Sequence, residues 1–517
     1  MKSNNQQRPN ILVIQADQLA AGFLSAYHNP IAVTPHIDSL ASSGAVFDSA
    51  YCNFPLCAPS RFSMMSGQLA STIGAYDNGA EFPSSIPTFA HYLRALNYQT
   101  ALVGKMHFVG ADQLHGFEQR LTTDIYPADF GWTGDWSEAQ SGHSNDKVTF
   151  TGAGVCLNNM QMAYDAEVCH RAERKLYDLA SGTDERPFML FTSITHPHDP
   201  YQCLQEHWDL YRHDDIDMPK VGTLPEEATD PYSKRLRTQY GLEDFEPSEE
   251  QIRVARHAYY GSVSYVDDMI GRLLAVLRKT GMDKNTIIVV TSDHGDMMGE
   301  RGLWYKKSFF EASCKVPMII SGPGIEEKRI ESNVSLVDLL PTLIDIAAEE
   351  HQASPLVEDI EGRSLWGLAN GNDTQWDNTA YSENLAEGCK APILMVKKNK
   401  LKYVTSGIDP EQLFDLATDP DELVNLAGNP DHLSEQQQLS QLATQKWDMP
   451  ILNEQIKLSQ ARRLFLKQTL QIGETANWDY AAPDQIVEHC LRGPTIYNQW
   501  AYGGSLGLHT PGNIEQD

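Results

Sequence analysis

Hydrophobic residues recur along the chain in short runs, and each run is followed by a polar loop and then by helical periodicity. This alternation is typical of βαβ units, in which a mostly parallel sheet carries helices on both faces. The clearest predicted strands are 10–15 (NILVIQ), 100–104 (TALVG), 188–193 (FMLFTS) and 286–292 (TIIVVTS). The pattern therefore predicts an α/β fold with a large, mixed but mostly parallel sheet flanked by helices.

A long helix is predicted between the last two of these strands. From Tyr259 onward, apolar residues recur at spacings of three and four, which gives a helix one apolar face. These residues are Val263, Val266, Ile270, Leu273 and Leu277. Residues 338–346 (DLLPTLIDI) predict a second helix, with Pro341 tolerated only in its first turn.

The pattern changes after about residue 370, where short strand-like pieces and turn-rich segments predict a smaller C-terminal α+β subdomain. An amphipathic helix is predicted from about residue 451, followed by a tail rich in Trp, Tyr and Gly. The aromatic content of this tail favours packing on a neighbouring subunit, so we expect a homo-oligomer, either a dimer or a tetramer. A chain of 517 residues exceeds one ordinary core. We divide it into a large α/β domain (1–370), the subdomain (371–450) and the C-terminal helix and tail (451–517).

The chain is strongly acidic, with 40 Lys and Arg against 69 Asp and Glu and a formal net charge of −29. Nucleic acids and anionic membranes require a basic surface, so neither is expected as a partner. No apolar run approaches the roughly 20 residues of a membrane span. If the protein binds a small anion, it must concentrate positive charge locally, whereas a cationic group would be attracted by the overall field.

The N-terminal residues contain no apolar segment ahead of the first predicted strand, so we expect no signal peptide and a cytoplasmic protein. The eight cysteines show no CxxC or zinc-type spacing, and a reducing compartment would keep them as thiols.

Polar and charged residues follow directly after the predicted strands. In open α/β sheets, ligands bind beyond the carboxyl ends of the strands, so these residues are expected to share one edge. Any one of these residues alone could be an ordinary helix cap or loop residue. Because four different strands each end in such residues, together they indicate a metal or anion site. They are Asp17, Gln18, Lys105, His107, His196, His198, Asp293 and His294.

The ligand types in this set indicate which metal it would hold. Asp17, Gln18 and Asp293 offer oxygen atoms, and His294 offers a nitrogen. Such a set fits a hard divalent cation such as Ca²⁺ or Mg²⁺ better than it fits a zinc site.

The segment CAPSR, residues 57–61, is the most specific motif in the chain. Pro59 suits the first turn of a helix, which would place Cys57 at a helix N-terminus, where backbone N–H groups favour an anion. The alternative is a buried thiol beside a turn. CAPSR resembles the Cys-x-Pro-Ser-Arg sequence by which sulfatases are recognised for conversion of that cysteine to formylglycine.

The resemblance to sulfatases extends over nearly the whole chain. NILVIQADQ, GKMH, THPHDPY and SDHGDMMGERGLWYKKSFFE are similar to the other active-site segments of these enzymes. Many sulfatases have two Asp where this chain has Asp17 and Gln18, but choline sulfatases share the Asp-Gln form. Residues 114–133 (LHGFEQRLTTDIYPADFGWT) and 459–463 (SQARR) also resemble choline sulfatases in particular.

The resemblance implies the alkaline phosphatase-like fold and hydrolysis of a sulfuric ester, first of all choline-O-sulfate. Formylglycine at position 57 would supply the oxygen that attacks sulfur, after modification by a formylglycine-generating maturation enzyme. The divalent metal implied is Ca²⁺, with Mg²⁺ or Mn²⁺ as alternatives. Its implied ligands are Asp17, Gln18, residue 57, Asp293 and His294.

The resemblance also assigns the remaining catalytic roles. Arg61 and Lys105 would hold the aldehyde hydrate, and His107 would accept its proton. His198 and Lys306 would contact the sulfate, and either could protonate the leaving oxygen. His196, in the same segment as His198, is expected to have a structural role. Lys307, next to Lys306, is expected to lie at the surface.

A quaternary ammonium group has no hydrogen to donate, so aromatic faces and carboxylates must bind it. Trp132 resembles the cation-binding Trp of choline sulfatases, and Glu387 resembles their pocket carboxylate. Core packing and a solvated loop are the respective alternatives for these residues.

Two other functions compete with this hypothesis. The first is a relative in the same superfamily that cleaves another alkyl sulfate, a phosphodiester or a phosphonate monoester. The second is an acidic binding protein that keeps the fold with an unconverted Cys57.

Overall fold

The predicted strands form the centre of a large sheet. The computed structural model describes residues 8–137, 147–348, 356–371, 375–386, 388–474 and 477–481. The strands in these ranges are β1 (Asn10–Ala16), β2 (Gly44–Tyr51), β3 (Gln99–Gly104), β4 (Gln119–Arg120), β5 (Gly154–Val155), β6 (Phe188–Ile194), β7 (Gln202–Cys203), β8 (Thr286–Ser292), β9 (Met318–Ser321), β10 (Lys328–Ser335), β11 (Thr379–Asn384), β12 (Ile393–Lys398), β13 (Leu401–Ser406) and β14 (Gln412–Asp415).

The α-helices alternate with these strands in the first two thirds of the chain. They are α1 (Pro35–Ala41), α2 (Cys57–Ser66), α3 (Ala70–Ile73), α4 (Phe89–Ala95), α5 (Val148–Thr151), α6 (Met160–Ser181), α7 (Gln205–Trp208), α8 (Pro231–Gln239), α9 (Glu249–Thr280), α10 (Glu311–Cys314), α11 (Leu339–Ala347), α12 (Trp366–Asn370), α13 (Leu433–Lys446) and α14 (Met449–Leu470). None of the helices in the described ranges combines the length and the hydrophobicity needed to span a bilayer.

The main sheet is mixed but mostly parallel, as predicted. Within the described residues it has eight strands in the order β10-β2-β9-β8-β1-β6-β3-β4. Strand β1 lies between β6 and β8 and is parallel to both, and β3 is parallel to β6. Strand β9 is the exception, since it is antiparallel to β2 and to β8. The carboxyl ends of β1, β3, β6 and β8 therefore lie along one edge.

The central strands are apolar because helices cover both faces of the sheet. Every residue of β6 and of β8 is buried, as expected for a parallel sheet enclosed on both sides. Helix α6 packs against β6 and β3, and α11 packs against α2 and α4. The chain divides into two compact units, Met1–Asp479 and Tyr480–Asp517, and the elements described above all belong to the first.

The long helix predicted around Tyr259 is α9, and its ends are fixed by local sequence. Ser248 and Gln251 form a capping box at its start, and Gly281 adopts the left-handed conformation after its end. All five apolar residues of the predicted stripe are buried. The local pattern therefore predicted this element correctly.

A smaller α+β subdomain was predicted for the C-terminal part of the first unit, and the structure there contains a sheet with the strand order β11-β12-β13-β14, whose neighbouring strands are antiparallel. The C-terminal helix α14 differs from a simple amphipathic helix. Its inward face includes the polar residues Gln460 and Arg463, whereas Ile451, Leu458 and Phe465 are exposed at 56%, 51% and 66%.

Candidate active site

The residues that follow the parallel strands meet at one edge of the main sheet. Asp17 follows β1, Lys105 follows β3 and Asp293 follows β8, and all three side chains are fully buried. The Lys105 ammonium contacts Asp17 Oδ2. The structure therefore brings these three side chains together beyond the carboxyl ends of the strands, where the sequence placed them.

Cys57 reaches this edge from the start of a helix. Helix α2 begins at Cys57 and contains Pro59 in its first turn, as the sequence predicted. Asn78 Oδ1 accepts a hydrogen bond of 3.0 Å from the backbone N–H of Ala58 and so satisfies one free donor of the helix end. The Cys57 Sγ lies 3.9 Å from Asp17 Oδ1.

Four buried side chains form a group with the geometry of a metal site. One potential ligand atom from each lies within 4.8 Å of the others. Their carboxylate, imidazole and sulfur donors match a divalent cation, and the carboxylates favour a hard one. The group consists of Asp17, Cys57, Asp293 and His294. The residues present therefore fit the expected metal.

The tautomer of His294 is determined by its neighbours. Its Nδ1 lies 3.0 Å from the carbonyl oxygen of Gly295, which can only accept, so Nδ1 carries the hydrogen. In the neutral ring the lone pair is then on Nε2, which lies 3.2 Å from Cys57 Sγ. A nitrogen held in this way is oriented as a metal ligand.

Gln18 lies beside this group, and its amide orientation is also determined. Its Nε2 donates to carboxylate oxygens of Asp296 and, at 3.3 Å, of Asp199. Its Oε1 accepts a hydrogen bond from the Lys306 ammonium. The opposite orientation would place the amide N–H against the Lys306 ammonium, so Oε1 faces Lys306. We call the edge of the sheet where Asp17, Lys105 and Asp293 meet the catalytic edge.

Positive charge is concentrated at this edge. Such a local concentration is what an acidic protein needs if it is to bind a small anion. Arg61, Lys105 and Lys306 are at most 3% exposed. Arg61 Nε donates to Asp293 Oδ2 at 2.8 Å, and Arg61 Nη1 donates to Ser193 Oγ at 2.8 Å. These three cations make the edge locally positive, although the protein as a whole carries a net negative charge.

The charges shift the pKa values of the groups at the site. Burial would raise the pKa of the Cys57 thiol, but Lys105, Lys306 and His294 lower it well below its usual value. Burial would also lower the pKa of His294, but Asp293 and Cys57 raise it.

His107 lies on a turn that a carboxylate holds in place. Asp124 Oδ2 accepts hydrogen bonds from the backbone N–H groups of Met106 and His107, at 2.9 and 2.8 Å. Both ring nitrogens of His107 are buried without a hydrogen-bond partner among the described residues. Burial lowers the pKa of His107, and although the interaction with Cys57 opposes this shift, the Lys105 charge adds to it, so the ring is kept neutral and able to accept a proton.

The two histidines of THPHDPY face different environments. His196 Nδ1 pairs with the buried carboxylate of Asp165 at 2.6 Å, which agrees with the structural role expected for it. His198 Nδ1 donates to the Asp199 carbonyl oxygen at 2.7 Å, so its Nε2 accepts a hydrogen bond from Lys306 Nζ at 2.8 Å. His198 and Lys306 therefore form one hydrogen-bonded pair at the site.

The prediction that Lys307 lies at the surface is wrong. Its side chain is 1% exposed, and its ammonium lies 5.9 Å from the centre of the Tyr240 ring. Its backbone carbonyl accepts a hydrogen bond from Tyr232 Oη at 2.6 Å. A long-range packing contact of this kind leaves no periodic signal in the sequence.

Aromatic rings border the charged groups on one side. The half-buried ring of Trp132 lies 5.1 Å from the ring of His107 and 4.7 Å from that of Tyr126. Tyr126 also lies over the Lys105 ammonium at 4.2 Å. Trp132 thus borders the catalytic edge. Glu387, the other candidate for cation binding, lies outside the described residues.

Several residues at the site were not identified from the sequence. Tyr126 and Asp124 belong to the segment 114–133, which was singled out for another reason. Asn78 and Asp296 carried no signal of their own. An Asn before a Gly is typical of a turn, and its bond to the N-terminus of α2 exists only in the folded chain.

Comparisons with known proteins agree with the fold and show the family. The family model described as Sulfatase matches residues 9–349, and the model described as N-sulphoglucosamine sulphohydrolase, C-terminal, matches residues 299–448. A choline-sulfatase of Rhizobium meliloti (strain 1021) is 42% identical, covering 94% of this chain and 96% of the relative. An arylsulfatase of Clostridium perfringens (strain 13 / Type A) is 28% identical, covering 79% and 88%. The solved phosphonate monoester hydrolase of Agrobacterium radiobacter has a TM-score of 0.69 at 22% identity, covering 87% and 96%, and supports the fold alone.

Proposed function

The chain belongs to the sulfatase family, and from this premise we propose that it hydrolyses choline-O-sulfate to choline and inorganic sulfate. The main observation behind the proposal is the half-buried Trp132 ring, which lies 5.1 Å from the His107 ring at the border of the cluster of buried cations. A sulfate group would lie among the buried cations, and a trimethylammonium group would lie against an aromatic face.

The proposed chemistry requires two groups besides the encoded side chains. Formylglycine, made from Cys57 by a maturation enzyme, supplies a hydrated aldehyde whose hydroxyl is the nucleophile, and a divalent metal, Ca²⁺ in our proposal, supplies Lewis acidity. The proposed metal ligands are Asp17, Gln18, residue 57, Asp293 and His294. The mutual distances within 4.8 Å and complete burial of four of them support this assignment.

Three side chains are proposed to hold and deprotonate the nucleophile. Arg61 and Lys105 neutralise the negative charge that collects at position 57, since both are buried within the same charged cluster. His107 accepts a proton at a ring nitrogen, because its lowered pKa keeps the ring neutral and neither nitrogen is held by a hydrogen bond to any residue other than the one at position 57 in the described structure.

The leaving oxygen needs a proton, and we propose that the hydrogen-bonded pair of Lys306 and His198 supplies it. His198 Nδ1 donates to a carbonyl oxygen, so the proton between the two side chains lies on Lys306 Nζ in this structure. Lys306 would donate this proton to the alkoxide, and His198 would orient the lysine. This arrangement favours Lys306 over His198 as the proton donor to the leaving oxygen, a choice that the sequence left open.

The proposed alcohol site includes Trp132 and Glu387. A cation–π contact contributes about 0.5–2 kcal/mol, which corresponds to roughly a two- to thirty-fold change in binding. The carboxylate at position 387 would add a favourable charge, in keeping with the acidity of the whole chain.

A substrate comparison tests the proposal. The kcat/KM of the mature wild-type enzyme should be highest for choline sulfate, lower for 4-nitrophenyl sulfate and lowest for a phenylphosphonate monoester. Trp132→Ala should lower kcat/KM for choline sulfate by about ten-fold while changing that for the neutral aryl sulfate by less than about three-fold. An equal loss on both sulfates would mean that Trp132 only packs. Preference for the phosphonate would instead favour a phosphonate or phosphodiester hydrolase.

The metal assignment has its own test. Metal content per chain should fall from one equivalent to a small fraction in the double variant Asp17→Ala/Asp293→Ala. Asp165→Ala removes a buried carboxylate that bonds His196 instead and should leave the metal content unchanged. Full metal occupancy in the double variant would contradict the assignment.

We also propose that the division at residues 370 and 450 separates a catalytic domain from a subdomain and an oligomer-forming C-terminal part. The exposed apolar residues Ile451, Leu458 and Phe465, spaced by seven, support an intersubunit role for α14. Sedimentation equilibrium should give the mass of a dimer or tetramer. Replacing these three residues with Gln should shift that mass toward the monomer.

A further inference from the structure

The sequence segment SQARR has no role in the chemistry above, although it is near the active site. Arg463, from this segment, lies on the inward face of α14 and is buried against Asp77. Its Nη2 donates to Asp77 Oδ2 at 2.8 Å, and its Nη1 donates to Asp77 Oδ1 and, at 3.3 Å, to Thr133 Oγ1. The pairing is two-pronged, which fixes both the distance and the angle between the groups.

The turn that carries Asp77 contacts both halves of the active site. Asn78 accepts the hydrogen bond from Ala58 N, next to Cys57. Gly79 packs so closely on the other half that a Cβ there would lie 2.7 Å from the carbonyl carbon of Trp132. The turn 77–79 thus lies between the start of α2 and the backbone of Trp132.

Helix α14 also holds the segment around Trp132 directly. Lys467 Nζ donates to the carbonyl oxygen of Gly131 at 2.7 Å, and Gln460 Oε1 accepts from the backbone N–H of Trp136 at 3.1 Å. With Arg463 on Thr133, these contacts surround Trp132 on both sides along the chain. The segment itself is a single 3₁₀ turn with loops at either end, so it has little rigidity of its own.

We propose that the Arg463–Asp77 pair is a positioning clamp that sets the distance between the Trp132 ring and the nucleophile at position 57. This inference rests on the proposed binding of a cationic alcohol by Trp132. In this proposal Arg463 makes no contact with the substrate and acts through the Thr133 side chain and the turn 77–79. Loss of the clamp should therefore weaken recognition of the alcohol and leave the sulfate chemistry largely intact.

The kinetic test uses Arg463→Met, with Arg462→Met as the matched control because Arg462 is the adjacent, exposed arginine of the same helix. For Arg463→Met we expect kcat/KM on choline sulfate to fall by about ten-fold, mostly through KM, and kcat/KM on 4-nitrophenyl sulfate to fall by less than about three-fold. Arg463→Lys should be intermediate, since an ammonium cannot span both carboxylate oxygens. An equal loss on both substrates would overturn the proposal.

A double-mutant cycle separates action through Trp132 from a general loss of structure. In a Trp132→Ala background, Arg463→Met should change the ratio of the two kcat/KM values by less than about two-fold, because the ring that it positions is absent. Additive effects on that ratio would contradict the clamp.

Amide hydrogen exchange tests the clamp without any substrate. Exchange at Thr133 and Trp136 should be faster in Arg463→Met than in Arg462→Met, while the amides of β8 keep their protection. A uniform increase, or none, would overturn the proposal. If the wild type does not prefer choline sulfate, the substrate assignment fails, yet the exchange result still decides whether the clamp exists.

Arg463→Met leaves the buried carboxylate of Asp77 without its cationic partner. If the Arg463→Met protein does not fold, a milder variant tests the same proposal. Lys467→Met removes one contact of a partly buried lysine with Gly131. It should accelerate exchange at residues 131–133 and lower kcat/KM on choline sulfate by about two- to three-fold. Unchanged exchange and kinetics in this variant would count against the clamp.

Discussion

Buried charges occur in two separate regions, and their hydrogen bonding differs. At the catalytic edge, Lys105 and Asp17 are in contact, but His107 beside them has no partner for either ring nitrogen among the described residues. In the second region, which we call the junction cluster, Lys402 from β13 pairs with Glu311 at 2.6 Å and Glu422 at 2.8 Å. Both lysines are fully buried.

The two regions differ in how completely the hydrogen-bonding groups of the buried lysine are paired. Lys402 Nζ also donates to the carbonyl oxygen of Phe309 at 2.7 Å, so an ammonium with three hydrogens has three oxygen partners. The groups at the catalytic edge converge on one another from separate strands and keep unused donor and acceptor capacity. Burial and charge alone therefore do not distinguish the two regions, whereas the number of oxygen partners around each buried lysine does.

The largest effect is expected at the catalytic edge. Cys57→Ala should lower kcat by about 10⁴-fold or more, because the nucleophile is lost, while the melting temperature stays within a few degrees of wild type. The control is Cys52→Ala, since Cys52 is as buried as Cys57 but its side chain is not among the potential metal ligands. The hydrogen bond from its backbone N–H to the Cys314 carbonyl oxygen does not depend on the side chain. Peptide mass spectrometry should find formylglycine at position 57 in active enzyme. Active enzyme with only unmodified cysteine there would contradict the mechanism.

The same substitution at two buried lysines sharpens the comparison. Lys402→Met should lower the free energy of unfolding by about 3–5 kcal/mol, because it leaves the buried carboxylate of Glu422 and the partly buried one of Glu311 without their cation, and should leave kcat of the folded fraction within about two-fold. Lys105→Met should do the reverse, lowering kcat by about 10²- to 10³-fold with a smaller loss of stability, since Arg61 still pairs with Asp17. Urea unfolding and initial rates measure both quantities. Similar stability losses in the two variants would remove the distinction.

A smaller effect concerns the pH dependence of stability. Burial raises the pKa of Glu383 on β11 from 4.5 to about 7, although hydrogen bonds from Ser71 and Trp447 oppose the shift. The folded state then binds this proton more tightly than the unfolded state, so the contribution of Glu383 to stability is present below about pH 4.5 and is lost as the pH rises to about 7.

Glu383→Gln should remove this loss. The drop in unfolding free energy between pH 5 and pH 8 should become smaller by about 2–3 kcal/mol in the variant. Glu361→Gln is the comparison variant and should change this drop much less, because the Glu361 charge only adds to a raised pKa that burial of Glu383 mainly causes. An unchanged pH profile in Glu383→Gln would mean that Glu383 is already ionised in the folded protein.

The sequence by itself determined the sheet and the location of the site. Apolar runs identified the central strands, and the parallel arrangement brings residues that follow them to one edge, so Asp17, Lys105 and Asp293 could be grouped without coordinates. CAPSR similarly predicted a helix beginning at Cys57, because proline tolerance and helix starts are local properties. The resemblance to sulfatases added the catalytic roles.

Only the tertiary structure decided how the site is held and what surrounds it. Asp77 and Arg463 are 386 positions apart, and no periodicity links them. The amide orientation of Gln18 depends on Asp296 and Lys306, which reach it from elsewhere in the fold. Local patterns encode the period of an element and where it ends, whereas the pairing of buried polar groups is set by packing between distant segments.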